Sequence, residues 1–574
     1  MYTKLLQAIF FSNKHANHHI VELNAVLYFA GICCFDYVLN NSLLIFMFYT
    51  TAMRKILLFL CIQSLYLYAL AQQADLIIKN GKVLDGTGNS WIYADIAVKD
   101  GKIIAIGKLK SYAASRTIDA AGLIVSPGFI DVHTHIEGDE KKNPTADNFI
   151  YDGVTTVITG NCGISNVDLG LYFRQLDSLG LSINTASLIG HNDIRKAVMG
   201  TALRDPTEAE MQQMEGLVAK AMQDGAVGMS TGLIYIPGTY SKTEEVVRLA
   251  KVVAAYHGIY TSHMRDEGDS VTAAIEEALH IGRVAKLPVE ISHFKLSGQQ
   301  NWGRSTETVP MIIKAREEGL DVTIDQYPYT ASSTSLSTLL PDKILADSQD
   351  SIVARLSDPE TVKKTVDYMI AKLSKRKLQH FNYTVVAYYK ADTSLNGKSI
   401  EEINTLKGRK HEAGEEALTI IDMMKQGGAS MIFHGMSETD VTNIMKYPYN
   451  MFASDASIRI YGAGSPHPRG YGTNARVLGK YVREEHVLSL EDAIRRMTSL
   501  PAQKFQLKDR GLLREGFAAD IVVFDPATVK DLSTYSQPHQ YSTGFKYVIV
   551  NGAVTLDNGK HTGLRNGKVI KKEN

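Results

Sequence analysis

Asp131-Val132-His133-Thr134-His135 puts two imidazoles two residues apart at the end of an apolar run. Side chains alternate along a strand, so both rings of a His-x-His pair leave on one side and reach one ion. Later apolar runs close on Asn161-Cys162-Gly163, on His191, and on His263 with Arg265. Others close on His293 with Lys295, on Asp325 with Tyr327, and on Ser454-Asp455. One histidine at such an end is an ordinary satisfied polar side chain. Several of them, joined by a cysteine and an aspartate at equivalent ends, read as a ligand set. Imidazole and thiolate together suit zinc.

Those side chains need a scaffold that brings many strand ends to one place. Eight runs read as strands: LIVSPGFIDVH, TTVITGNC, INTASLIGH, GAVGMSTGL, GIYTSHMR, PVEISHFK, DVTIDQYPY and YNMFASD. Helical stretches such as EEVVRLAKVVAAYH and SVTAAIEEALHIGRVA lie between them. Alternating strands and helices predict a parallel sheet, and eight units predict a TIM-like (β/α)8 barrel whose site lies at the C-terminal strand ends. The fold class is therefore α/β. The barrel is expected over residues 126–500. A helical segment, about 339–428, is too long to be a simple connection and predicts an inserted subdomain between strands 7 and 8. Strand-rich segments at both ends, 72–125 and 501–574, predict one small β-domain built from the two chain ends.

The chain has 574 residues, with 61 Lys+Arg against 61 Asp+Glu. This balance gives no electrostatic basis for nucleic-acid binding. Residues 53–71, MRKILLFLCIQSLYLYALA, carry a basic start, a short apolar core and a small-x-small end. That is the pattern of a secretory signal peptide cleaved before Gln72. Residues 1–52 are then expected to be upstream sequence from a misassigned start, with Met53 the true one. Export, to a bacterial periplasm, is the expected location, with no stable membrane partner after cleavage. Cleavage removes Cys33, Cys34 and Cys61 and leaves Cys162. A lone cysteine kept in an exported chain is a candidate ligand or nucleophile.

GFIDVHTH, the strand-end histidines and the late Ser454-Asp455 together resemble the amidohydrolase superfamily of metal-dependent hydrolases. TVITGNCGIS, GMSTGLIYIPG, YTSHMRDEGD, SHFK, DQYPYTASST and HPRGYG narrow this to the D-aminoacylase (N-acyl-D-amino-acid deacylase) branch. The motifs run in the family's order from about Ala74 to the C-terminus. Many amidohydrolases bridge two metals with a lysine on strand 4, but GAVGMSTGL has none. The D-aminoacylase branch uses a cysteine from strand 2, and Cys162 matches that position.

The resemblance implies a tight zinc site of Cys162, His263 and His293. It implies a second, weaker or optional metal on His133 and His135, again with Cys162. Asp455 is implied as general base and then acid, a role a carboxylate beside activated water can fill. Arg265, Lys295 and Arg469 are implied cations for the α-carboxylate of a small N-acyl amino acid. Tyr235, Tyr327 and Ser333 match positions used around substrate. His191 and His434 are divided evenly between function and packing. The chain reads Ser454-Asp455-Ala456 where the family usually has glycine last, a change at the mouth that bears on acyl and side-chain preference. The implied activity is zinc-dependent hydrolysis of N-acyl-D-amino acids. The alternatives are a D-residue dipeptidase, a cyclic-amide hydrolase or, in another class, a non-enzymatic barrel scaffold. The sequence assigns no oligomeric state.

Overall fold

The computed structural model describes residues 53, 55–60 and 73–573. The chain divides into two compact units, Met1–Gln73 and Ala74–Asn574. In the first, the described residues 53 and 55–60 are helical. The upstream extension 1–52 and the cleavage point before Gln72, both expected from sequence, lie outside the described residues. Among the described residues no helix is long and apolar enough to cross a membrane.

Strands β1 (Gln73–Val83), β2 (Ile92–Lys99), β3 (Lys102–Gly107), β4 (Ala113–Asp119) and β5 (Ile124–Pro127) come first. The next group is β6 (Phe129–Asp131), β7 (Val154–Thr159), β8 (Asn184–Ser187), β9 (Ile189–Gly190), β10 (Gly228–Gly232), β11 (Ile259–His263), β12 (Val289–Ile291) and β13 (Val322–Gln326). β14 (Ala331–Ser335), β15 (Thr384–Tyr388) and β16 (Ser430–His434) precede β17 (Asn450–Phe452). β18 (Ile521–Phe524), β19 (Phe545–Val550), β20 (Ala553–Asp557) and β21 (Lys560–His561) end the chain's strands.

The parallel ladders β6-β7-β8 and β9-β10-β11-β12-β13-β17 are eight staves, since β8 and β9 are one strand interrupted at Leu188. A parallel bridge between Thr134 and Ala456 closes the circle. Strands such as β7 are buried throughout, which explains the near-continuous apolar runs in their sequence. The surrounding helices are amphipathic. Thr243–Ala255 opens with Glu244 and Glu245, favourable at a helix N-terminus. It buries Val246, Leu249, Ala250 and Val253 at helical spacing. Each valine and the leucine contribute about 1.5–3 kcal/mol of burial, the alanine less. At the other end of the barrel from the site, Leu500, Ala502, Phe505 and Leu507 pack with Val227 and Ile259 at the strand starts.

The two chain ends share one nine-stranded sheet. Its order is β21-β20-β19-β18-β5-β1-β2-β3, with β4 on β1. β18 pairs antiparallel with β5, and β1 parallel with β5, so neither end completes the sheet alone. Leu76, Ile78, Ile96, Val98, Ile521, Val523 and Ile549 are its buried core. The tail beyond β21 returns to the barrel, where Val569 bridges Thr185.

The insertion between β13 and β17 has its own sheet, β14-β16-β15, antiparallel throughout. Helices Pro359–Lys375, Ile400–Leu406 and Ala413–Lys425 close over a core that includes Leu336, Met369, Phe381, Ile403 and Ile420. Its sheet begins at Ala331 in edge strand β14 and ends at His434 in central strand β16, slightly outside the expected span. The Ser/Thr-rich run of β14 carries no apolar alternation from which a strand is read.

Candidate active site

The site lies at the C-terminal ends of the barrel strands. Cys162 Sγ is 3.3 Å from His133 Nε2, 3.4 Å from His263 Nδ1 and 3.6 Å from His293 Nε2. His293 Nε2 and His263 Nδ1 are 2.8 Å apart. Asp455 faces the same space. Its Oδ1 lies 3.4 Å from His135 Nε2 and 3.8 Å from His133 Nε2. The strand 1 and strand 8 ends are fixed together, because Asp455 N donates to His133 O and His135 N to Ala456 O, each at 2.9 Å. All five predicted ligands and the predicted acid/base therefore meet at one point.

Two of the imidazoles, those of His133 and His293, are aimed by a carboxylate on the far side. Asp325 Oδ2 sits 3.2 Å from His133 Nδ1, which leaves Nε2 for the cluster. Asp325 Oδ1 also accepts from His293 N at 2.9 Å. Glu267 Oε1 lies 2.8 Å from His293 Nδ1, again leaving Nε2 inward. Carboxylates of this kind fix tautomer and ring orientation in metal sites. Cys162, His293 and Asp455 all have left-handed backbone, with φ of 53°, 36° and 49°. Such geometry is costly away from glycine and clusters at functional sites. At β10 a glycine is required: a Cβ on Gly232 would lie 2.1 Å from Cys162 O. Strand 4 thus gives its end to the Cys162 loop and supplies no ligand.

The electrostatics favour a thiolate and an ionised carboxylate. Burial pushes the Cys162 thiol up, but His133 and His263 beside it outweigh this and hold it well below its ordinary value. Burial also pushes Asp455 up, and Arg469, His135 and His133 overcome it, leaving the carboxyl well below the usual range. Glu267 is held low against its own burial by Lys295, His293 and His263. The donor set fits a zinc ion: one thiolate, converging imidazole nitrogens, and carboxylates behind them. His263 Nε2, buried with no hydrogen-bond partner, shows that the protein's own hydrogen bonds leave this cluster incompletely satisfied. His133, Cys162 and His293 form one metal-competent group, His133, His135 and Asp455 a second.

The predicted substrate residues divide. Arg469 Nη1 is 2.9 Å from Asp455 Oδ2, and Nη2 donates to Ser333 O at 3.3 Å. Its Nε is buried without an acceptor. Lys295 Nζ contacts Glu267 Oε1 at 2.6 Å, His293 Nδ1 at 2.7 Å and His293 O at 2.8 Å. Both cations flank Tyr327, with Arg469 Cζ 4.5 Å and Lys295 Nζ 5.6 Å from the ring centroid. The Tyr235 ring stands edge-on to His263 at 4.7 Å, and its hydroxyl is 2.8 Å from Thr334 Oγ1. Arg265 is the correction. Its Nε and Nη2 grip Glu277 at 3.0 and 2.9 Å, and Nη1 and Nη2 donate to Thr239 O and Ser241 O. It braces the loop after β10 against helix Val271–Ala285 and has no fork left for a ligand.

His191 is also taken: it pairs with Glu245 at 2.8 Å, and Arg195 holds the same carboxylate. His434 ends β16 against the Tyr535 ring, 4.8 Å away, and joins no metal-competent group among the described residues. Two residues at the site were not singled out from sequence. Glu267 lies within the YTSHMRDEGD motif but looks like one surface charge among several. His467, in HPRGYG, is fully buried, with its Nε2 2.9 Å from Ala331 O and its Nδ1 accepting from Arg469 N.

Comparison with known proteins follows the same lines. A model described as "Amidohydrolase family" matches residues 116–556. The D-aminoacylase of Alcaligenes xylosoxydans xylosoxydans is 35% identical over 523 residues, covering 87% of this chain and 98% of that protein. The solved N-acyl-D-glutamate deacylase of Bordetella bronchiseptica, complexed with zinc and a phosphonate mimic of the tetrahedral intermediate, is 35% identical. Its TM-score is 0.74, over 87% of this chain and 100% of its own. A D-aminoacylase solved for the role of its binuclear metal centre, with one metal activating and the second attenuating, is 34% identical. Its TM-score is 0.73, over 87% and 100%.

Proposed function

The chain belongs to the amidohydrolase family, and from that premise we propose that this site hydrolyses N-acyl-D-amino acids to a carboxylate and a D-amino acid. The enzyme is a metal-dependent hydrolase of amide bonds, and its cofactor is zinc. The observation that carries the reading is the convergence of a buried thiolate and three imidazoles beneath a carboxylate held ionised by Arg469.

Cys162, His263 and His293 are assigned to the tight zinc, and His133 and His135 with Cys162 to a second, weaker one. Zinc, when bound, polarises the scissile carbonyl and brings a water's pKa to about 7. Asp455 takes the proton from water as the oxygen bonds to the acyl carbon. It then gives that proton to the amide nitrogen as the C–N bond breaks, so the amine leaves neutral beside the carboxylic acid, whose own proton then passes to the amine or to solvent to give the carboxylate. The low position of its carboxyl suits the first half of this cycle. Arg469 orients Asp455 and keeps a spare buried N–H, so it both positions the base and receives substrate. Lys295, on the other side of Tyr327, is assigned with it to the α-carboxylate, giving up one of its present partners. Tyr327, Tyr235 and Ser333 shape the space between. The D configuration rests on similarity to D-aminoacylases and to the N-acyl-D-glutamate deacylase.

The test is release of amine from matched N-acetyl-D- and N-acetyl-L-amino acids by the purified chain, with chelator and with added zinc. Metal-dependent release from the D forms alone is expected. Release from the L forms at equal rate, or release untouched by chelator, would overturn the reading. Export is also proposed, on the signal-peptide pattern of residues 53–71. N-terminal sequencing of the secreted protein should begin at Gln72, and an intact Met53 would refute it.

A further inference from the structure

A second histidine cluster lies in the insertion, on segments apart from the barrel strand ends. His380 Nδ1 is 2.6 Å from Glu416 Oε1 and 3.8 Å from Glu401 Oε1. His411 Nε2 is 2.5 Å from the same Glu401 oxygen. One donor atom from each of the four residues lies within 4.8 Å of every other. Ligands of a tetrahedral zinc sit about 3.4 Å apart, given bonds of about 2.1 Å. The cluster is already near that size.

Charge points the same way. Glu416 is fully buried, and its second oxygen accepts from Phe381 N at 2.7 Å. The His380 and His411 rings stack 4.0 Å apart, only 7° from parallel. A divalent cation held there would be balanced by the two carboxylates, with the two imidazoles as neutral donors.

We propose that His380, Glu401, His411 and Glu416 bind a divalent cation of the zinc class, at a structural site separate from the catalytic centre. His411 is 60% exposed and its Nε2 contacts Glu401, so its ring has solvent-side room to tilt out of the stack and complete the site. The site joins helices Ile400–Leu406 and Ala413–Lys425 to the entry of β15. β15 in turn holds the loop 457–468 that follows Asp455 and Ala456, through Ser465 N donating to Ala387 O at 2.8 Å. The ion would therefore staple the part of the insertion that borders the active site.

Zinc per full-length chain, measured by mass spectrometry after dialysis, tests this in two pairs. Adding His411→Ala to Cys162→Ala should lower bound zinc by one equivalent, and Glu401→Gln on the same background should do so too. In the otherwise unaltered chain, His411→Ala should reduce the zinc-dependent rise in melting temperature, leaving the part due to the barrel site, while keeping turnover within about twofold. Both substitutions are on partly exposed side chains, so folding is retained. Unchanged zinc equivalents in either variant, or an unaltered zinc-dependent melting shift, would overturn the site.

Discussion

The ends of β6, β7, β11, β12 and β17 present Cys162, Asp455 and the clustered histidines; the ends of β9 and β10 present none, although His191 directly follows β9. Both arcs close apolar strands with polar residues. They part in what comes next. After β7, β12 and β17 the backbone turns left-handed at Cys162, His293 and Asp455, and each of these side chains joins the cluster. After β9 a helix begins at once, His191–Met199, and carries the imidazole to Glu245 and Arg195. After β10 a glycine yields its space to the Cys162 loop. What separates the strand-end histidines is direction: those of the barrel site turn a nitrogen toward Cys162 or Asp455, whereas His191 turns to Glu245.

Substitutions can break that contrast from either side. The largest effect is expected for Cys162→Ala, which removes the shared thiolate. Zinc at the barrel site and turnover should both collapse, by more than the roughly 100-fold that loss of a supporting partner costs, while the equivalent proposed for the insertion stays. Retention of the barrel-site zinc with loss of activity alone would favour a nucleophilic cysteine. Asp325→Asn keeps shape but weakens the hold on His133 and on the His293 backbone. Zinc affinity should fall about 10- to 100-fold in chelator competition. Gly232→Ala pushes a methyl against Cys162 O. An overpacking cost of about 1–3 kcal/mol is expected, read as a lower melting temperature together with weaker zinc binding. His191→Leu should leave zinc content unchanged and cost about 1–3 kcal/mol of stability, because Glu245 loses a buried partner. A zinc deficit in that variant would erase the distinction between the arcs.

Much of this contrast was legible in the sequence. Eight buried strands announce themselves as apolar runs, and ligands at their ends recur with regular polarity. What escaped was the layer behind the ligands. Arg265 stands two residues after His263, as Lys295 does after His293, and both read as cations facing substrate. The partner that captures Arg265, Glu277, lies one helix later in the chain, and nothing local marks the pairing. Glu267 was hidden for the converse reason, since its acidic neighbours make a functional carboxylate look like a solvated loop. The small β-domain was readable because both ends alternate, whereas β14 lacks that pattern and was absorbed into a connection.

The most direct test of the catalytic assignment is Asp455→Asn, with bound zinc and turnover of an N-acetyl-D-amino acid measured on the same preparation. Zinc should stay, because the tight-site ligands are untouched, and turnover should fall about 10²- to 10⁴-fold with the loss of proton transfer. Turnover within a few-fold of the parent, with zinc in place, would contradict the role of Asp455 and with it the proposed chemistry of the site.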